Sequence, residues 1–279
     1  MGPDESPIES PIEAAVALGA AHGVASGEPR VLKDGSNLVV RLQPAPVVVR
    51  IATFTGRVRR DPWPYLAREV ALTKALVDAG AAVAPPSPLI PPGPHRRGDW
   101  AMTAWAFVDH IRGVVPDDRT ALGALDALHE ALRRVALDLP LLGPATTDLD
   151  LAIDFGVAQR LLTDEGAAAL RVRRDALVDE LLALAPDRQA LHGDAFPRNS
   201  LVTSSGVVWI DLEDCCEGPA AWDHAVLIWN TEDPSVDRTL RERDGTAAID
   251  AAMALREIQA GVWRLLHDAR RDGRLDGPP

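Results

Sequence analysis

Cysteine, lysine and long apolar runs are all scarce in this chain, and each scarcity removes a class of protein. The only cysteines are Cys215 and Cys216, adjacent in sequence. Neighbouring cysteines make a poor bridge and no disulfide framework exists, which points to a reducing, cytoplasmic compartment. No apolar stretch approaches the roughly 18 residues that a spanning helix needs, so no membrane partner is expected. The first residues, MGPDESPIES, lack the charged start and apolar run of a secretory signal. They match the loose myristoylation pattern Met-Gly-x-x-x-Ser, but Pro3, Asp4 and Glu5 argue that the match is accidental. Lysine occurs twice, as Lys33 and Lys74; the rest of the 29 cations are arginines. The net charge is −12, and no basic stripe is available for a phosphate backbone, so nucleic acid is not an expected partner. An acidic surface serves solubility, and it also suits a cationic small molecule. No G-x-S-x-G elbow and no G-x-G-x-x-G loop occurs.

What remains is an ordinary soluble composition, with 47% hydrophobic and 25% charged residues. Residues 1–12, with Pro3, Pro7 and Pro11, read as a frayed tail, and a helix is expected over about 12–21. The turn cluster Asp34-Gly35-Ser36-Asn37 leads into two β-type runs, Leu38–Leu42 and Val47–Ala52, parted by Gln43-Pro44-Ala45-Pro46. A helix opened by Asp61-Pro62 and closed by Gly80 should follow, with Leu66, Val70, Thr73 and Val77 on its apolar face. The proline-rich stretches at 84–86 and 91–94 flank a further expected strand, and Trp100–Val108 is another. Beyond residue 109 the texture is helical, over 119–137, 156–185 and about 221–270. One hairpin is embedded there, turning at Ser204-Ser205-Gly206.

The stretch LHGDAFPRNSLVTSSGVVWIDLED carries the chemistry. Asp194 and Asn199 are five apart, and Asp211 follows on the far side of the hairpin. Phosphoryl transfer needs a carboxylate to orient the acceptor and oxygen ligands for Mg²⁺, and an Asp, an Asn and a second Asp supply them. Their order fits the kinase catalytic loop followed by its metal-binding Asp, with Gly193 where protein kinases carry Arg. Each residue alone has a plainer reading as a turn or cap residue; the joint placement and hairpin context favour the kinase reading. The string Asp154-Phe155-Gly156 imitates the protein-kinase metal motif, but it precedes the loop instead of following it. Asp154 is therefore read as a helix start.

The runs His192-Gly193-Asp194-(x)4-Asn199, Ile210-Asp211-x-Glu213-Asp214 and Gly218-Pro-Ala-Ala-Trp-Asp-His-Ala225 resemble the aminoglycoside phosphotransferase family, also called the phosphotransferase enzyme family. That family includes antibiotic kinases and choline-, homoserine- and fructosamine-type kinases. The resemblance extends from the strands near 31 to the helices after 220, and is most specific over 191–224. It implies an α+β, bilobal, protein-kinase-like fold: a small antiparallel-sheet lobe over 1–108 and a larger, mainly helical lobe over 109–279. It implies Asp194 as catalytic base, Asn199 and Asp211 as Mg²⁺ ligands, and Asp223 as a brace for the loop, with His192 as scaffold. Asp214 stands either beside the metals or in a solvated turn.

For the nucleotide, Arg50 is the candidate cation in the first lobe. Alternation puts it with Val48 on one strand face, opposite Val47, Val49 and Ile51. Many kinases have lysine there, and a guanidinium gives a different phosphate geometry. Glu69 flanks the apolar helix face and needs a cation, either Arg50 or, at the surface, Arg59 or Arg68. The turn holding Ser36 either presents backbone N–H groups to phosphates, as the resemblance suggests, or is a plain β-turn. Backbone groups of Ala106 to Val108 would meet adenine, while Trp105 and Phe107 either wall that site or belong to the core. ATP and GTP both remain open. The acceptor is a hydroxyl on a small molecule: an aminoglycoside or other antibiotic, which would confer resistance, or a choline-, homoserine- or sugar-type metabolite. A nucleotide-binding pseudokinase is the rival reading. Trp222, Trp229 and Trp263 either line an acceptor pocket or fill the core; Asp148, Asp150, Glu232 and Asp233 either bind ammonium groups or form a solvated rim.

Overall fold

The computed structural model of the chain describes residues 10–275. The chain divides into two compact units, one from the residues up to Asp78 with Val83–His110, the other from Ala79–Ala82 with Ile111 onward. The myristoylation-like pattern and most of the expected tail lie outside the described residues. Residues 10–12 do not fray: α1 (Pro11–Ala21) starts at Ser10 with a capping box. Glu13 N–H donates to Ser10 Oγ at 3.2 Å, and Ser10 N–H to Glu13 Oε2 at 3.0 Å.

The first unit is a five-stranded antiparallel sheet in the order β1-β2-β3-β5-β4. Its strands are β1 (Ser26–Asp34), β2 (Leu38–Pro44), β3 (Val47–Ile51), β4 (His95–Arg97) and β5 (Trp100–Ala106), with α2 (Phe54–Arg59) and α3 (Trp63–Asp78) between β3 and β4. Strand alternation divides the sheet chemically. Val40, Leu42, Val47, Val49, Ile51, Met102 and Ala104 form one face and pack against Ala14, Ala15 and Leu18 of α1 in a continuous core. The register Val39↔Arg50, Arg41↔Val48 and Arg50↔Thr103 puts the polar groups together on the opposite face.

Two expectations need correction here. No strand forms between the proline stretches; Pro86 makes one isolated bridge to Trp105, because the prolines lack the N–H groups that a ladder needs. On α3, Leu66, Val70 and Thr73 are buried as expected, but Val77 is 37% exposed and Leu76 takes the inward position. The spacing 66, 70, 73, 77 keeps to one helix face, but Val77 lies in the last turn of α3, and periodicity fixes the angle of a residue and not how far along the helix the packing extends.

The second unit runs through α4 (Asp118–Leu132), α5 (Thr147–Ala158), α6 (Asp164–Leu184), β6 (Gln189–Leu191), β7 (Ser200–Thr203), β8 (Gly206–Trp209), β9 (Cys216–Gly218), α7 (Ala221–Ile228), α8 (Pro234–Asp244) and α9 (Thr246–Arg271). The expected helix over 156–185 is two helices, α5 ending at Ala158 and α6 starting after the Thr163 cap, whose side chain accepts from Gly166 N–H. Asp154 lies inside α5, not at a helix start, and its carboxylate takes Arg171 at 2.6 Å. Both cysteines are buried thiols outside any disulfide. No helix among the described residues is long and apolar enough to cross a membrane.

Removing the cap tests the order of residues 10–12. Ser10→Ala should cost about 1 kcal/mol in a denaturant titration. An unchanged midpoint would show that the chain before Ile12 is frayed after all.

Candidate active site

In the second unit, two antiparallel pairs hold the reaction loop. β6 pairs with β9 (Leu191↔Cys216), and β7 pairs with β8 (Ser200↔Trp209), so the segments 192–199 and 210–215 emerge side by side. They are stitched through Ile210. Its N–H donates to the Asn199 carbonyl at 2.9 Å, and its carbonyl lies 3.1 Å from His192 Nε2. His192 Nδ1 in turn accepts from Asp194 N–H at 3.3 Å. With both ring nitrogens engaged by the backbone, this buried histidine ties the loop to the end of β8.

Asp223, fully buried at the start of α7, holds the loop from beneath. His192 N–H donates to Oδ2 and Gly193 N–H to Oδ1, each at 2.9 Å, and His129 Nε2 of α4 lies 2.9 Å from Oδ2. Burial pushes the Asp223 carboxyl up, but the His129 hydrogen bond and charge, with the His192 ring and N–H, hold it below its ordinary value. Trp222, which could have lined an acceptor pocket, is core: it is fully buried, and its Nε1–H donates to the Gly193 carbonyl at 2.8 Å. Gly193 has φ +86°, and a Cβ there would come within 1.8 Å of the Asp214 carbonyl oxygen. No side chain fits, so the arginine of protein kinases has no place at this position.

Held this way, Asp194 and Asn199 meet. Asn199 Nδ2 donates to Asp194 Oδ2 at 2.8 Å and to the Asp194 carbonyl at 3.1 Å. With its amide nitrogen engaged there, Asn199 keeps Oδ1 as the oxygen it can offer to a cation. Asp211 has φ +66°, a left-handed conformation uncommon for a residue with a side chain. An amide oxygen and a carboxylate one residue beyond the Ile210 stitch form a hard, all-oxygen donor pair, which fits Mg²⁺ completed by phosphate oxygens and water. Among the described residues no group of three or more His, Cys, Asp or Glu could hold a metal by itself.

In the first unit, Arg50 Nη1 donates to Glu69 Oε2 at 2.6 Å, and both side chains are buried. Glu69 therefore takes the buried partner of the two left open for it. The Ser36 carbonyl accepts from Thr55 N–H at 2.9 Å, which ties the β1–β2 turn to α2. The N–H groups of Ala106 and Phe107 donate to Pro85 and Pro46 carbonyls, each at 2.9 Å, so neither is available to a base. The Arg41 guanidinium lies 3.6 Å over the Phe107 ring, and Trp105 is nearly buried with its Nε1–H on Thr103 Oγ1. Of the acidic residues considered for ammonium groups, Asp150 takes both Arg171 and Arg174, and Asp233 takes Arg119 and caps α8 through Ser235. Two functional neighbours went unseen in the sequence. His129 and Arg256, the latter on the Asp194 carboxylate, come from distant helices with no motif of their own.

The profile of the family described as Phosphotransferase enzyme family matches residues 29–260. The chain belongs to that family. It is a small-molecule phosphotransferase, and its similarity to solved structures shows the protein-kinase-like α+β fold. An amicoumacin kinase in complex with AMP-PNP, Ca²⁺ and Ami has a TM-score of 0.67 at 16% identity, covering 91% of this chain and 86% of that one. APH(2")-IIia, in its GDP and kanamycin complex, has a TM-score of 0.63 at 16% identity, covering 92% and 91%. The choline kinase LicA from Streptococcus pneumoniae has a TM-score of 0.63 at 13% identity, covering 94% and 92%. No curated protein matches the sequence.

Two measurements test the scaffold. Asp223→Asn should destabilise the protein by about 3 kcal/mol, since it sets an N–H against an N–H in a buried place. The folded Asp223 carboxyl titrates below its ordinary 3.8. Its stabilisation is therefore complete above that value and is lost as pH falls through the lowered one. Denaturation midpoints below about pH 4 should fall more steeply in the wild type than in the variant; superimposed acid limbs would refute the linkage. In the first unit, Arg50→Ala and Glu69→Ala should each destabilise by about 3 kcal/mol, and the double variant by little more than either. Additivity within about 0.3–0.5 kcal/mol would show that the two are not energetically coupled.

Proposed function

We propose that this phosphotransferase moves the terminal phosphoryl group of ATP or GTP, with Mg²⁺, to a hydroxyl of a small molecule. The observation that supports this best is the locked pair of Asp194 and Asn199, with Asp211 tied to Asn199 through Ile210. Mg²⁺ would neutralise the charge on the phosphates, held by Asn199 Oδ1 and the Asp211 carboxylate. Asp194 accepts the hydrogen bond of the acceptor hydroxyl and aims its oxygen at phosphorus. As the new P–O bond forms and the bond to the nucleoside diphosphate breaks, the hydroxyl proton passes to Asp194. A loose transition state asks little basicity of this carboxylate and much positioning, which suits a side chain hydrogen-bonded at both oxygens.

Arg50, positioned by Glu69, would meet the nucleotide phosphates, and the Ser36 turn would cover them. For the base, the Ala106 carbonyl and the Val108 N–H, which donates to nothing among the described residues, are the available edge groups. The acceptors named for the similar structures range from amicoumacin and kanamycin to choline. An antibiotic or metabolite alcohol is the corresponding class here, in the cytoplasm.

Asp194→Ala should keep nucleotide affinity and lose roughly 10²–10⁴-fold in turnover. Asp211→Ala should lose the Mg²⁺ dependence of nucleotide binding, measured with a fluorescent ATP analogue across a Mg²⁺ titration. Wild-type turnover in the first variant, or an unchanged Mg²⁺ dependence in the second, removes these assignments. Binding of nucleotide without release of ADP, in water or with any alcohol, would make the chain a pseudokinase.

A further inference from the structure

The Asp194 carboxylate has a cationic neighbour that the phosphotransfer motif does not contain. Arg256 reaches it from α9, Nη2 donating to Oδ1 at 2.8 Å, while Nη1 donates to Gln259 Oε1 at 2.6 Å. The Arg256 side chain is only 12% exposed. Its Nε–H is buried and finds no acceptor among the described residues. A carboxylate has about four acceptor positions, so Asp194 can hold Arg256, Asn199 and a hydroxyl together. Any hydroxyl in hydrogen-bond reach of Asp194 then lies within a few ångströms of a guanidinium.

We propose that Arg256, held by Gln259, is an acceptor-side positioning residue: it fixes the Asp194 carboxylate in the direction from which that carboxylate meets the acceptor hydroxyl. This rests on the phosphotransferase reading of Asp194.

One experiment on the full chain tests it: basal Mg-ATP hydrolysis, with water as acceptor. Arg256→Ala should lower kcat by about 10–100-fold at unchanged KM for ATP, as misplacing a reacting group does, and Arg256→Lys should recover part of the loss. A lysine variant no better than alanine, or a parallel rise in KM for ATP, overturns the positioning role. A wild type that binds no Mg-ATP and hydrolyses none would instead sink the phosphotransferase reading on which the proposal rests.

Discussion

Asp223 accepts three hydrogen bonds in a place that water does not reach, from the amides of His192 and Gly193 and from the His129 ring. The two amides are successive in the chain and converge on one carboxylate, set at the start of α7. Burying it alone would cost several kcal/mol; three donors and a nearby ring make the burial tolerable and hold the charge in place. Gly193 can then adopt a conformation closed to other residues, with the Asp214 carbonyl pressed against it and the Trp222 indole on its own carbonyl. Asp194, the next residue, receives its direction from this arrangement.

From that anchor the rest of the site follows by short steps. His192 reads the backbone of Ile210 on one side and of Asp194 on the other, so the loop and the strand after the hairpin cannot slide independently. Asn199 closes the loop onto Asp194, and its own carbonyl takes Ile210. Asp211 is therefore placed by backbone bonds of the residue before it. Fixing side chains through the backbone leaves few rotatable bonds between the reacting groups, which is what a reaction that depends on positioning requires.

The sheet unit reaches comparable order by another route. Its two faces differ because β-strands alternate: the β-branched residues of β2 and β3 lock against α1, and Arg50 has to emerge on the other side. A buried guanidinium and a buried carboxylate stabilise one another only as a pair, so Arg50 and Glu69 constrain the approach of α3 to β3. Arginine keeps its charge under burial better than lysine does, which suits a cation this enclosed.

The features legible in the sequence are those whose signals are short in range. Asp194, Asn199 and Asp211 lie within one loop and one hairpin, and their spacing is itself the constraint. The division of β3 into a core face and an Arg50 face follows from a period of two, and the Glu69 problem was visible because a carboxylate beside an apolar stripe asks for a partner. Prolines misled in both directions: Pro11 opens α1 as readily as it would end a tail, and the prolines near residue 90 suppress the strand expected between them. Local pattern could not reveal which distant side chains would close on the site. His129 meets Asp223 across 94 positions, and Arg256 meets Asp194 across 62. Helical periodicity marks such residues only as polar positions at the edge of a packed face, indistinguishable from solvated ones. The sequence by itself determined which residues share the loop and the hairpin beside it, since that is a matter of residue type and spacing. Only the tertiary structure decided what surrounds it, because the burial of Trp222, the brace on Asp223 and the guanidinium on Asp194 all arise where helices far apart in the chain pack together.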